Sequence, residues 1–198
     1  MVVAFILVPK NRSLKDSAKK ALKQLKLKRV KLLEVRGEDI PAWIYRLASL
    51  KKNAVGLTGE DLFQEFVLKK ENSELVVLKK VAWKDPKALF GKPVLCLLGP
   101  KGKKIDQLPK ELRIGISSKY KTIASKYLAV LENKGYSLKK LYVNGCCETL
   151  ASAGIADLIV DIVYTGSSMQ KAGLEIYDSI FASDFVIIGS KKFWGERA

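Results

Sequence analysis

Histidine is absent from all 198 residues, and only three cysteines and two methionines occur. The missing histidine removes Ser-His and Cys-His nucleophile systems, His-ligated zinc and the commonest general base. Chemistry in this chain must use carboxylates, lysine, backbone amides or a loosely held metal. The cysteines, Cys96, Cys146 and Cys147, are odd in number and two are adjacent. Neither a disulfide framework nor a CxxC metal or redox site is indicated, which fits a reducing cytoplasm. Long apolar runs are also lacking. Residues 1–8 are strongly apolar but too short to span a bilayer, and no basic region or small-residue cleavage site frames them as a signal peptide. They read as a buried first strand, so a cytoplasmic protein without a membrane partner is expected.

Positive charge is what the chain has in excess: 36 Lys and Arg against 20 Asp and Glu give a formal charge of +16. Such a balance suits a nucleic-acid binder, a membrane-surface protein or an enzyme whose substrates carry several phosphates. Much of the charge lies in Lys19, Lys20, Lys23, Lys26, Lys28, Arg29 and Lys31. No aromatics interleave the cluster, which reads as the solvated face of an amphipathic helix and its exit and disfavours nucleic acid as a partner.

Strand-like and helical segments alternate along the chain, the rhythm of an α/β layered fold. Strands are expected at 2–8, 30–35, 54–57 and 75–83, with helices at 13–25, from about 40, and at 60–66. A second set has strands at 93–98, 113–117, 138–143 and 157–163, with helices at 122–133 and 168–172. A late strand, 185–188, then returns to the first set. Two lobes with a cleft between them are expected: residues 1–88, rejoined by 176–198, and residues 89–175.

The most informative stretch is 154–174, GIADLIVDIVYTGSSMQKAGL. A buried strand ends in Thr165-Gly166-Ser167-Ser168 and a helix starts at once, so backbone N–H groups, hydroxyls and the helix dipole converge on one point suited to an anion. Gly166 lets the backbone approach a phosphate. Asp161 precedes this loop and shares a strand face with Asp157. A carboxylate there would repel a phosphate ligand unless sugar hydroxyls or a metal intervene, and pentose 5-phosphates supply the hydroxyls. The alternative is an ordinary strand-to-helix connection with Asp161 capping a turn. Lys10 and Arg12 leave the first strand, either toward the cleft, where they suit a pyrophosphate, or into solvent. Thr58-Gly59-Glu60-Asp61 is another strand-to-helix turn. Asp39 reads as an N-cap with Pro41 just inside the helix. Glu148 is either a site acid or a solvated loop charge.

These motifs together resemble the ATP phosphoribosyltransferase family of histidine biosynthesis. Residues 154–174 resemble its signature G-L-A-D-x-I-V-D-x-V-x-T-G-x-T-L-x-x-N-G-L. Collinear likenesses are Val8-Pro9-Lys10-Asn11-Arg12 to L-P-K-G-R, Arg36 to Pro41 to R-x-x-D-I-P, Val55 to Asp61 to L-G-I-x-G-x-D, and Asn144 to Glu148 to N-G-S-V-E. The chain departs from the pattern at Ser168 for Thr, Ala172 for Asn, Cys146-Cys147 for Ser-Val and Asn11 for Gly. The stretch 12–36 is short, and Pro93-Val94 stands where a Cys-Arg pair is expected.

The resemblance implies a two-lobed, periplasmic-binding-protein-like (type II) fold and transfer of phosphoribosyl from phosphoribosyl pyrophosphate to N1 of ATP, assisted by Mg²⁺ on substrate oxygens. It assigns Thr165, Gly166, Ser167 and Ser168 to the 5-phosphate, Asp161 to the ribose hydroxyls, Lys10 and Arg12 to pyrophosphate, and Glu148, Asp157 and Asp39 to the nucleotide side. With the chain ending at Ala198, it also implies the short form, a homodimer that joins a histidyl-tRNA-synthetase-like regulatory subunit. The competing reading is a non-catalytic cytoplasmic binding protein or sensor for a phosphorylated small molecule.

Overall fold

The fold is known from a computed structural model, which describes residues 4–10 and 30–194. Arg12 and the expected helix 13–25 lie outside the described residues. The chain divides into two compact units, Met1–Ala82 with Asp184–Ala198, and Trp83–Ser183.

In the first unit, β1 (Ala4–Pro9) pairs in parallel with β2 (Val30–Val35) and β3 (Ala54–Gly59). The late strand β10 (Phe185–Ser190) runs antiparallel between β3 and β4 (Leu75–Val81), giving the order β2-β1-β3-β10-β4. The inner strands β1, β3 and β10 are buried along almost their whole length, as their unbroken apolar runs require, whereas β4 alternates as an edge strand does. Helices α1 (Ile40–Ser49) and α2 (Glu60–Lys69) belong to this unit, and Leu7, Ile40, Ile44, Phe63, Val186 and Ile188 form its core. Gly56 is what lets α1 approach β3, because a Cβ there would stand 2.5 Å from Ile40 Cγ2. Asp39 occupies the position before α1 and Pro41 its first turn, but the Asp39 side chain makes no capping hydrogen bond. A short helix, Lys191–Trp194, follows β10.

The second unit repeats this plan without any repeat in sequence. Strand β6 (Glu111–Ser117) pairs in parallel with β7 (Ser137–Val143) and β8 (Leu158–Val163). Strand β5 (Val94–Pro100) is antiparallel to β8 and to β9 (Leu174–Ala182), in the order β7-β6-β8-β5-β9. The connections carry α3 (Lys121–Glu132), α4 (Glu148–Ser152) and α5 (Ser167–Lys171).

Strand β9 corrects the sequence reading. The chain does not leave the second unit at residue 175; it pairs along the whole of β5 and crosses over only at 183/184, while the earlier crossing falls at 82/83 rather than 88/89. Two register shifts in the β5–β9 ladder explain why β9 was not recognised, since each bulge breaks the period-2 alternation that marks a strand.

Candidate active site

In an open sheet with parallel strands, ligands bind outside the carboxyl ends of the strands at the point where strand order reverses. In the second unit the chain runs from β6 out to β7 and then back past β6 to β8, so that point lies between the exits of β6 and β8. The register Ile116↔Val160 sets the end of β6 beside Asp161, and Ser117↔Val143 brings out the 144–148 loop at the same edge. Three segments therefore meet there: the turn at Ser118–Tyr120, the loop reaching Glu148, and Tyr164 to Ser168.

Thr165, Ser167 and Ser168 are exposed there, while Gly166 is buried. Gly166 has φ 77°, a left-handed conformation that side chains resist, and it begins a helix with no side-chain cap. The Ser167 N–H reaches the Thr165 hydroxyl at 3.4 Å, a long contact that leaves the hydroxyl suited to a better partner. Asp161 is half-buried on β8, and its carboxylate accepts a 2.8 Å hydrogen bond from the Ile162 N–H. Burial, the largest cause, pushes its pKa up to about 6; the negative charge of Glu148 adds to this, and the Ile162 hydrogen bond and Lys119 oppose it. Structure thus places Asp161, Glu148 and the Thr165–Ser168 loop at one edge of the second unit. It adds Lys119, which sequence reasoning passed over as one lysine among many.

Other expected site residues are placed elsewhere or are already engaged. Asp157 precedes β8 and sits at its opposite end, about 13 Å from Asp161 at an ordinary strand rise. Its carboxylate accepts from the Arg113 side chain at 2.8 and 3.1 Å and from the Arg113 backbone N–H at 2.7 Å. That arrangement holds its pKa below the usual range. A cavity of about 310 Å³ lies at this end of the unit, lined in part by Leu108, Leu112, Asp157 and Leu174, with none of Thr165 to Ser168 in its lining. Cys147 is fully buried, and burial raises its thiol pKa to about 12, with Asp161 and Glu148 adding to the shift. A thiolate nucleophile at that position is therefore excluded near neutral pH.

In the first unit the corresponding reversal lies between the exits of β1 and β3. Lys10 is exposed at the end of β1, with its N–H bonded to the Val35 carbonyl at 2.9 Å. At the end of β3, the Thr58 hydroxyl donates to the Gly37 carbonyl at 3.0 Å, Glu60 pairs with Lys80 at 2.7 Å and Asp61 is buried. The Thr58–Asp61 turn is thus largely engaged within its own unit. Asp39 is exposed.

The family profile described as HisG, ATP phosphoribosyltransferase, matches residues 36–198. The chain belongs to the ATP phosphoribosyltransferase family. An ATP phosphoribosyltransferase of Sulfurisphaera tokodaii is 30% identical over 164 residues, covering 83% of this chain and 51% of the relative. The chain therefore spans about half the length of curated family relatives that it matches. Among solved structures, the ATP phosphoribosyl transferase (HisG:HisZ) complex from Thermotoga maritima aligns with a TM-score of 0.71 at 25% identity, over 98% of this chain and 90% of that one. The periplasmic aliphatic sulphonate binding protein SsuA from Escherichia coli aligns with a TM-score of 0.61 at 14% identity, over 99% and 67%. That second likeness concerns the fold alone, and with the first it identifies the family's two-lobed type II architecture here. Among the described residues, no helix is long and apolar enough to cross a membrane.

Proposed function

We propose that the chain carries the phosphoribosyl-transfer chemistry of an ATP phosphoribosyltransferase in cytoplasmic histidine biosynthesis. The observation that supports this best is the juxtaposition, at a strand-order reversal, of a half-buried acid with an uncapped Thr-Gly-Ser-Ser turn. A phosphate alone would avoid Asp161. A pentose 5-phosphate satisfies both halves, its phosphate taking the N–H and hydroxyl donors of Thr165 to Ser168 while ribose hydroxyls donate to Asp161. Glu148, beside Asp161, is assigned to the nucleotide side. Lys10 and Arg12 are assigned to the departing pyrophosphate. Asp157 is left out because Arg113 takes up its carboxylate, and Asp39, exposed ahead of α1, rests on the family resemblance alone.

In the proposed reaction N1 of the ATP adenine attacks the anomeric carbon of phosphoribosyl pyrophosphate. The N1–C1 bond forms as the C1–oxygen bond breaks, and pyrophosphate leaves with the bonding pair. The leaving group is a good one, so the protein contributes orientation and charge neutralisation rather than a covalent intermediate. Mg²⁺ belongs to this reading as an ion borne by substrate phosphate oxygens and water, which suits its preferred coordination. The described residues contain no group of three His, Cys, Asp or Glu arranged to hold a metal, so no protein ligand is assigned to it.

The deciding assay is pyrophosphate release from ATP plus phosphoribosyl pyrophosphate with Mg²⁺, run with the assembled protein and any partner supplied. Formation of phosphoribosyl-ATP is expected. No turnover, combined with tight binding of an unrelated small ligand, would favour the sensor reading. Assembly is a separate expectation: a homodimer that joins a histidyl-tRNA-synthetase-like regulatory subunit. Light scattering of the isolated chain tests the first part, and a strict monomer would remove it.

A further inference from the structure

The phosphate loop is poorly held by its own local structure. Its glycine is left-handed, and its helix, α5, has only five residues, too few to be stable alone. What holds it comes from the segment at which the chain enters the second unit. Tyr164, the residue between β8 and Thr165, is gripped twice. Its hydroxyl donates to the Asp85 carboxylate, and its carbonyl accepts from the Leu89 N–H at 2.7 Å. Trp83 also meets the Tyr164 ring edge-on, with centroids 6.2 Å apart.

The gripping segment is itself a closed turn. The Asp85 N–H donates to the Gly91 carbonyl and the Gly91 N–H to the Ala88 carbonyl, both at 2.9 Å. The second Asp85 oxygen accepts from the Lys87 N–H, also at 2.9 Å. Leu89 Cδ2 lies 3.5 Å from where a Cβ on residue 166 would stand, so the turn also bounds the loop sterically. The hydrogen bond from Tyr164 lowers the pKa of Asp85 and raises that of the Tyr164 phenol, the directions expected for a neutral donor on a carboxylate.

We propose that Asp85 and Tyr164 are positioning residues for the Thr165–Ser168 loop, presetting its donors so that little ordering is left for ligand binding. The inference rests on the reading of that loop as the 5-phosphate site. Neither residue touches the ligand, and their effect passes through the main chain of Tyr164 into Thr165. Preorganisation of this kind acts on affinity, because the ordering is completed before the ligand arrives.

The test compares the wild type with Tyr164→Phe, Asp85→Ala, Asp85→Asn, the Tyr164→Phe/Asp85→Ala double variant and Thr165→Ala, by calorimetry with phosphoribosyl pyrophosphate and by steady-state kinetics. Loss of one such hydrogen bond predicts a roughly two- to tenfold weaker Kd and higher KM for phosphoribosyl pyrophosphate. The KM for ATP and kcat should stay near wild type. Asp85→Asn keeps an acceptor oxygen and should recover most of the affinity. The double variant should be no worse than Asp85→Ala alone, since that change already removes the Tyr164 hydrogen bond together with the one from the Lys87 N–H. Tyr164→Phe binding as the wild type does, while Thr165→Ala is impaired, would overturn the clamp and leave the phosphate site standing. Thr165→Ala binding normally would overturn the site itself, and equal falls in kcat/KM for both substrates would reduce Tyr164 and Asp85 to a general structural role.

Discussion

Asp161→Asn is expected to make this protein bind phosphoribosyl pyrophosphate worse and, near neutral pH, fold better. The first effect follows from losing a charged acceptor for ribose hydroxyls. Hydrogen bonds to charged groups are worth about 1.5 to 3 kcal/mol, or roughly ten- to a hundredfold in Kd. Thr165→Ala, which removes a donor to the phosphate, should have an effect of the same order. The second effect follows from linkage. Burial raises the Asp161 pKa from 3.8 to about 6, so the folded state binds this proton more tightly than the unfolded state does. Ionisation therefore opposes folding: the penalty is absent below about pH 4, grows as pH rises toward 6 and is complete above it. Asparagine avoids the charge and can still accept from the Ile162 N–H. A gain on the order of 1 to 3 kcal/mol at pH 8 that vanishes near pH 4 is the expected result, read from urea midpoints at the two pH values. Affinity of the unsubstituted protein should likewise decline below about pH 6 as Asp161 takes up its proton. Equal stability of variant and parent at pH 8 would mean that the carboxylate carries no such penalty.

Gly56→Ala is expected to destabilise the first unit by about 1 to 3 kcal/mol, although alanine normally suits a strand better than glycine. The added methyl would lie 2.5 Å from Ile40 Cγ2 and 3.4 Å from Ile44, and both isoleucines are fully buried. Helix α1 would have to lift from β3, opening the core that Leu7, Ile40 and Ile44 share. Ile40→Leu in the same chain removes the offending β-branch and should recover part of the loss. Hydrogen exchange of the β3 amides is the direct measurement, because it isolates the first unit from the second. Unchanged protection in Gly56→Ala would show that α1 has slack that this packing does not suggest.

The parts of the molecule that were legible in the sequence are those fixed by local pattern. Apolar runs marked β1, β3 and β5, a run broken only by Asp161 marked β8, helical spacing marked α1 and α3, and a glycine just past a buried strand marked Gly166. Asp161 was legible because a strand's two-residue period sets its face. What was hidden depends on contacts far apart in the chain. Arg113 takes Asp157 out of the site from 44 residues away, and Tyr164 meets Asp85 across 79. Lys119 acquires meaning only through the register of β6 against β8. Strand β9 was masked by its own bulges. Glu148 could be placed beside Asp161 only by family likeness, since periodicity does not carry across the loop from β7 to α4.

The three cysteines differ sharply in access: Cys96 and Cys147 are fully buried with thiol pKa values pushed up to about 11 and about 12, while Cys146 is exposed. Thiolates do the reacting, so a maleimide dye at neutral pH should attach at one place in the folded chain. That place is two residues from Glu148, which makes the unaltered protein a singly labelled reporter for occupancy of the proposed pentose-phosphate loop.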